Sequence, residues 1–134
     1  MRFRRILVPH DFSTPATRAL RVAAELAREH RGRLLVLHVV APFHPATGHP
    51  EERVAVTPEL DVMKAERRRL EALVARTLGR RRTPVTCRVE LGDPYHRIAD
   101  AARGVDAIVT LGGMGGSADE IAKVLDVHVN TVAR

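Results

Sequence analysis

Cysteine and aromatic side chains are scarce in this sequence, and each shortage excludes a class of protein. Cys87 is the one cysteine among 134 residues, so the chain cannot build a disulfide framework or a zinc site with several cysteines. Aromatic residues make up 3% of the sequence and tryptophan is absent, which argues against a platform that stacks the bases of single-stranded nucleic acid. The seven histidines have no metal-ligand spacing. The sequence therefore predicts no metal site.

Long hydrophobic runs are also missing. The longest run, at 33–41 (RLLVLHVVA), has the length of a strand, whereas a membrane-spanning helix needs about 20 apolar residues. The N-terminal residues MRFRRILVPHDF lack the apolar core and the cleavage site of a signal peptide. We therefore predict a cytoplasmic protein that does not associate with membranes.

The remaining composition is that of one globular domain with excess positive charge. Hydrophobic residues make up 45% and charged residues 28%, and the length predicts a single domain over 1–134. The net charge of +6 could attract nucleic acid, but the basic residues are dispersed. The clusters at 67–69 and 80–82 are typical of a solvated helix face and of a helix C-terminus. The pattern argues against a nucleic-acid patch.

Short apolar runs alternate with longer amphipathic segments. The pattern predicts strands at 6–8, 34–39, 85–91 and 107–111, with helices near 14–31, 59–78 and 94–103 and a loop between 40 and 58. A glycine-rich loop at 112–116 leads to a last helical pattern. The alternation predicts a doubly wound, Rossmann-like α/β fold, an open parallel sheet with helices on both faces.

Candidate binding residues lie at the carboxyl ends of the predicted strands, where open α/β sheets bind ligands. Pro9, His10 and Asp11 follow the first strand, Val39 lies at the end of the second, and the glycine loop follows the fourth. If the first and fourth strands are neighbours, Asp11 faces backbone N–H groups that could approach a phosphate. Asp11 could accept a hydrogen bond from a ribose hydroxyl or cap the following helix. No nucleophile accompanies His10, so we predict no catalytic residue and no enzyme activity.

Four segments resemble the universal stress protein family in order and spacing. They are RRILVPHDFS at 4–13, LLVLHVV at 34–40, GDPYHRI at 92–98 and VDAIVTLGGMG at 105–115. The resemblance implies a small cytoplasmic regulator of stress tolerance, usually a homodimer, and many members bind ATP. It also implies that an adenine nucleotide contacts Pro9, His10, Asp11, Val39, Leu111, Gly112, Gly115, Ser117 and Val127.

The sequence departs from the nucleotide motif of that family. The motif has two glycines separated by two residues, then nine residues, then a glycine and a hydroxyl residue. Gly112 and Gly115 fit its first half, but Leu125 and Asp126 occupy the last two positions. A leucine side chain obstructs a backbone that approaches phosphate, and a carboxylate at ~4 Å repels a phosphate charge by about 4 kcal/mol. We expect weak or absent ATP binding and a pocket that prefers a less charged adenine ligand.

The C-terminal segment supports two interpretations. In the first, it forms the last helix of the family, and the family's usual fifth strand is missing, which leaves four strands. In the second, residues 117–134 form a helix-turn-helix with a recognition helix opened by Asn130 and Thr131, as in a DNA-binding regulator. We favour the first, because no supporting helix precedes the segment and the sequence ends inside that recognition helix.

Overall fold

Five parallel strands and three helices make up the part of the chain that the computed structural model describes, residues 2–42, 58–80, 83–110 and 128–131. The strands form one sheet in the order β3-β2-β1-β4-β5, and every adjacent pair is parallel. The predicted doubly wound α/β fold is thereby confirmed. In chain order the elements are β1 (Arg5–Pro9), α1 (Thr14–His30), β2 (Arg33–Val40), α2 (Pro58–Leu78), β3 (Val85–Leu91), α3 (Pro94–Ala102), β4 (Ala107–Thr110) and β5 (His128–Thr131).

The central strands β1 and β4 are buried on both faces of the sheet, which explains why their sequences are mostly apolar. Successive side chains of a strand point to opposite faces. Ile6 and Val8 of β1 accordingly belong to the core packed against α1 and α2, whereas Leu7 belongs to the core packed against α3. Helices therefore cover both faces, as the alternation of elements predicts.

Helix α1 begins and ends with local signals in its sequence. The Ser13 side chain accepts a hydrogen bond from the backbone N–H of Ala16, and Pro15 lies in the first turn. At the other end, Arg31 adopts the left-handed conformation with φ 53°. Gly32 follows the helix, and close packing of the backbone requires a glycine there. A Cβ on Gly32 would lie 2.4 Å from the carbonyl oxygen of Phe3.

Helix α2 packs through its second half. Leu70, Val74 and Leu78 are buried in the core, and Gly79 ends the helix with φ 61°, as predicted. The helical spacing of the apolar residues in 59–78 predicts that Leu60 faces inward. This prediction is wrong, because 59% of that residue is exposed. The first half of α2 thus extends beyond the core.

The prediction that the usual fifth strand is missing is wrong. Residues 128–131 form β5, which lies parallel to β4 with Ala107 aligned with His128 and Thr110 with Thr131. The sequence here places β-branched residues at Val127, Val129 and Thr131, and such residues fit an extended strand better than a helix. The glycine loop and the last helical pattern, at 111–127, lie outside the described residues.

The same strand removes the basis of the helix-turn-helix alternative. Asn130 and Thr131, the residues predicted to open a recognition helix, lie in β5. A strand paired into the sheet cannot enter a DNA major groove as a helix. In the part of the chain that the structure describes, no helix is long and apolar enough to cross a membrane.

A candidate ligand site at the carboxyl edge of the sheet

Strands β2 and β3 lie on one side of β1, and β4 and β5 lie on the other. The direction in which successive strands are added to the sheet therefore reverses at β1. Ile6 is aligned with Ala107 and Leu7 with Ile108, so the first and fourth strands are neighbours, which is the condition on which the sequence-based site depends. In open α/β sheets the crevice beyond the carboxyl ends of such strands is where ligands bind. The residues that follow β1 therefore occupy the expected position of a ligand site.

His10 is buried at this edge and its ring is fully hydrogen-bonded. It is 2% exposed. Its Nδ1 accepts from the backbone N–H of Phe12 at 2.9 Å, and its Nε2 lies 3.3 Å from Oγ1 of Thr17. Because Nδ1 accepts, the neutral ring carries its proton on Nε2 and donates to Thr17. His10 thus ties the end of β1 to the first turn of α1.

The environment of His10 favours the neutral ring. Burial lowers its pKa, the charge of Asp11 raises it, and His38 lowers it further, with a net shift below the ordinary value. A neutral, buried and doubly hydrogen-bonded ring is suited to holding the loop in place. This geometry supports a positioning role for His10 rather than the role of a proton shuttle.

Asp11 presents a carboxylate to solvent directly after His10. The residue is exposed, and its Oδ1 accepts from the backbone N–H of Ser13 at 3.0 Å. Partial desolvation raises the pKa of Asp11, but hydrogen bonds from the Ser13 side chain and from backbone N–H groups, together with His10, outweigh it and lower the pKa. The result is a fixed anion that can accept hydrogen bonds from a ligand.

Phe12 completes this loop in a conformation that is rare for a residue with a side chain. Its φ is 64°, in the left-handed region that costs a non-glycine residue roughly 1–2 kcal/mol. The ring lies 4.6 Å from the ring of His38 between centroids, and the guanidinium of Arg69 stacks on it at 3.9 Å. These contacts stabilise the strained backbone.

His38 links this loop to α2 through an ion pair that the sequence did not reveal. Its Nδ1 lies 2.8 Å from the carbonyl oxygen of His10, and its Nε2 lies 3.3 Å from Oε2 of Glu66. The ring of His38 therefore bridges the loop after β1 and the Glu66 carboxylate. Glu66 also contacts Arg69 at 3.7 Å. The sequence offered one signal of this contact, a histidine inside an apolar strand. Its partner could not be predicted, because Glu66 lies far along the chain, beyond the predicted loop between 40 and 58.

The structure places four of the predicted site residues. Pro9, His10 and Asp11 are consecutive at the end of β1, and Val39 lies in β2. The side chain of Val39 packs with the core on the α3 face, whereas His10 contacts Thr17 of α1. The two side chains therefore lie on opposite faces of the sheet. The remaining predicted contacts, Leu111, Gly112, Gly115, Ser117 and Val127, lie outside the described residues.

Other residues that the sequence patterns single out have ordinary structural environments. Asp93, predicted to cap α3, occupies the N-cap position but makes no capping hydrogen bond with its side chain, which instead contacts Nδ1 of His96. Cys87 packs partly buried against the core. Among the described residues, no group of three or more histidine, cysteine or acidic side chains could hold a metal ion.

Comparison with known proteins identifies the family. A sequence profile of the universal stress protein family matches residues 2–125, whereas no curated protein matches significantly. A structure of a universal stress protein family member from Burkholderia pseudomallei is 26% identical with a TM-score of 0.71, and the match covers 97% of this chain and 96% of that one. The universal stress protein UspA from Lactobacillus plantarum is 24% identical with a TM-score of 0.69 and 99% coverage of both chains.

A third solved structure contains a nucleotide. It is the universal stress protein from Archaeoglobus fulgidus in complex with dAMP, which is 21% identical with a TM-score of 0.63 and covers 99% of this chain and 100% of that one. At this identity the likeness shows the shared fold. The family profile spans most of the sequence. The chain therefore belongs to the universal stress protein family.

Proposed function

We propose that this protein is a stress-response regulator that binds an adenine nucleotide at the carboxyl edge of β1, β2 and β4. The observation that carries the proposal is the Asp11 carboxylate, which is exposed beside the reversal point of the sheet and held by the N–H of Ser13. A carboxylate at this position can accept a hydrogen bond from a sugar hydroxyl. The dAMP bound to the relative from Archaeoglobus fulgidus supports an adenine ligand.

The neighbouring residues hold the loop in place and supply apolar surface for the ligand. Pro9 and the hydrogen-bonded His10 hold the loop that carries Asp11, and half-buried Val39 offers apolar surface beside the edge of the sheet. We propose that Leu111, Gly112, Gly115, Ser117 and Val127 complete the site.

The number of phosphates on the ligand should decide its affinity. Leu125 and Asp126 replace the glycine and hydroxyl residue of the nucleotide motif, so a triphosphate meets a bulky side chain and a like charge. We expect AMP to bind at least about tenfold more tightly than ATP, since a difference of about 1.4 kcal/mol suffices for that ratio. Calorimetric titration with AMP, ADP and ATP in the presence of magnesium measures the order. Tighter binding of ATP than of AMP contradicts the proposed preference.

A matched pair of variants tests the location of the site. Asp11→Asn keeps an oxygen for the N–H of Ser13 but removes the charge, so AMP affinity should fall by about tenfold, as expected for a lost charge-assisted hydrogen bond. Asp100→Asn makes the same chemical change at an exposed position of α3 and should leave affinity unchanged. If both variants bind AMP like the wild type, the proposed site is wrong.

We propose that the protein acts through association rather than through catalysis of its own. In this view it is one domain over residues 1–134 that works in the cytoplasm as a homodimer whose assembly the nucleotide biases. Sedimentation equilibrium with and without AMP measures the dimer constant. ATP turnover that disappears in Asp11→Ala would show that the protein is an enzyme.

A further inference from the structure

A groove of about 380 Å³ runs between the first half of α2 and strand β3. Leu60, Met63, Lys64 and Arg67 line it from the helix, and Cys87 and Arg88 are among the residues that line it from the strand. None of the described residues that line it is among the residues proposed to contact a nucleotide. The groove is therefore separate from the proposed nucleotide site.

One wall of the groove is an edge of the sheet. Strand β3 is the first in the sheet order and pairs with β2 along its whole length. Within the described ranges, no strand pairs with its other side. The backbone N–H and C=O groups on the open side of an edge strand are a template for a further strand.

The other wall of the groove contributes exposed apolar surface. Leu60, which lines the groove, is 59% exposed. Half-buried Met63, further along α2, also lines the groove. Exposed apolar side chains beside an open strand edge are a feature of surfaces that bind extended peptides.

The charged side chains that line the described part of the groove are all cationic. Among the described residues that line the groove, Lys64, Arg67 and Arg88 are charged and none is acidic. Arg67 pairs with exposed Glu71 at 3.1 Å and Arg88 with half-buried Glu90 at 3.6 Å, so neighbouring carboxylates offset part of the charge of these two cations. Lys64 forms no ion pair within the described part of the chain. The groove therefore offers a positive surface to an incoming segment.

We propose that this groove binds an extended acidic segment of a partner protein, which adds to the edge of β3 as a further strand. Main-chain hydrogen bonds to β3 supply affinity, apolar side chains of the segment contact Leu60 and Met63, and its carboxylates face the three cations. A second copy of this chain fits the surface less well, because it would bring the same cations into the interface.

A synthetic peptide tests the chemistry of the occupant. The probe is a fluorescein-labelled Glu-Val-Glu-Val-Glu-Val-Glu peptide, whose binding to the full chain is followed by fluorescence anisotropy. The controls are the peptide with lysine in place of glutamate and an acidic peptide N-methylated at alternate residues, which cannot extend the sheet. We expect the unmodified acidic peptide alone to bind, with affinity that falls as salt rises. Equal binding of the N-methylated peptide overturns strand addition.

Charge-reversal variants test the location. Lys64→Glu with Arg88→Glu should weaken acidic-peptide binding by about tenfold or more. Arg18→Glu with Arg21→Glu makes the same change in net charge on an exposed part of α1 and should change affinity by less than about twofold. Equal loss in both double variants would mean that the peptide responds to the net charge alone, and the proposal would fail.

The single cysteine provides a second measurement on the unaltered chain. Cys87 lines the groove, so a saturating concentration of acidic peptide should slow its alkylation by iodoacetamide by about fivefold or more. Unchanged alkylation with peptide bound would place the peptide elsewhere. Concentration-dependent self-association that Lys64→Glu with Arg88→Glu abolishes would assign the groove to a second copy and overturn the proposal.

Discussion

Burial of His10 favours the neutral form of a side chain that ordinarily titrates near neutral pH. The ring lies inside the loop between β1 and α1 and uses both nitrogens in hydrogen bonds. Its lowered pKa follows mainly from desolvation. The folded protein therefore keeps the ring neutral at pH values where the unfolded chain protonates it.

This difference predicts a pH dependence of stability. Below about pH 6.5 the unfolded chain binds a proton that the folded His10 does not. The contribution of His10 to the free energy of unfolding is therefore complete above that pH, and it is lost as the pH falls toward the lowered pKa of the folded state. His10→Asn keeps an acceptor for the N–H of Phe12 but does not titrate. From pH 7.5 to 5.5, the free energy of unfolding by urea should fall less in this variant, by about 1 kcal/mol. Equal decreases in both proteins would contradict the prediction.

Close packing of backbone on backbone makes Gly32 sensitive to substitution. A Cβ there would lie 2.4 Å from the carbonyl oxygen of Phe3 and 2.9 Å from that of Arg4, and neither can move without shifting the chain before β1. We expect Gly32→Ala to lower the free energy of unfolding by about 1–3 kcal/mol. Gly104→Ala is the control, because its nearest neighbour would be 3.9 Å away, and it should be near neutral. Urea unfolding measures both, and similar values for the two would refute the packing argument.

At the scale of elements, the first turn of α1 connects the proposed site to the core. Ser13 accepts from the N–H of Ala16 with its side chain and donates its own N–H to Asp11. The buried alanines that follow let α1 lie close to the sheet. The start of the helix and the position of the carboxylate therefore depend on the same residue.

Removing the cap should weaken stability and ligand binding together. Ser13→Ala is expected to cost about 1 kcal/mol of stability because the N–H of Ala16 loses its acceptor. The same change should reduce AMP affinity, since the Ser13 hydroxyl also stabilises the charged form of Asp11. Ser13→Thr keeps the hydroxyl and should restore most of both properties. Thermal unfolding and calorimetry measure them, and a Thr variant as impaired as the Ala variant would rule out the capping explanation.

At the scale of the whole molecule, β5 determines what happens to β4. All four residues of β4 are buried, and their backbone pairs with β1 on one side and with β5 on the other. Without β5, an apolar strand would form the edge of the sheet, an arrangement that promotes association between chains.

Deletion of residues 128–134 should therefore make the protein aggregate. We expect the truncated chain to unfold at lower urea concentration than the full chain and to elute as larger species in size-exclusion chromatography. In the full chain, replacing β5 with an unrelated alternating sequence (Thr-Val-Thr-Val) should preserve the elution volume of the wild type, because strand pairing uses the backbone. A truncated chain that stays as stable and as small as the full one would show that β5 does not protect β4.

Particular residues show what could be predicted from the sequence and what could not. The apolar runs predicted the strands around Ile6 and Ile108, and Ser13 and Gly79 lie at helix ends. The adjacency of the two strands was shown only by the order of the sheet. The short strand at 128–131 was missed, because helical and extended patterns both fit so few residues. Asp11 could be proposed from its place after β1, whereas its hydrogen bonds could not.

The sequence by itself determined the alternation of strands and helices, the doubly wound fold and the position of Asp11 after the first strand. These follow from periodicity and from turn chemistry, which are local along the chain. The tertiary structure alone decided that His38 pairs with Glu66, that Arg69 stacks on Phe12, and that α2 and β3 form a cationic groove. Those contacts join residues far apart in the sequence, and only the packing of α2 against the sheet brings their side chains within reach of each other.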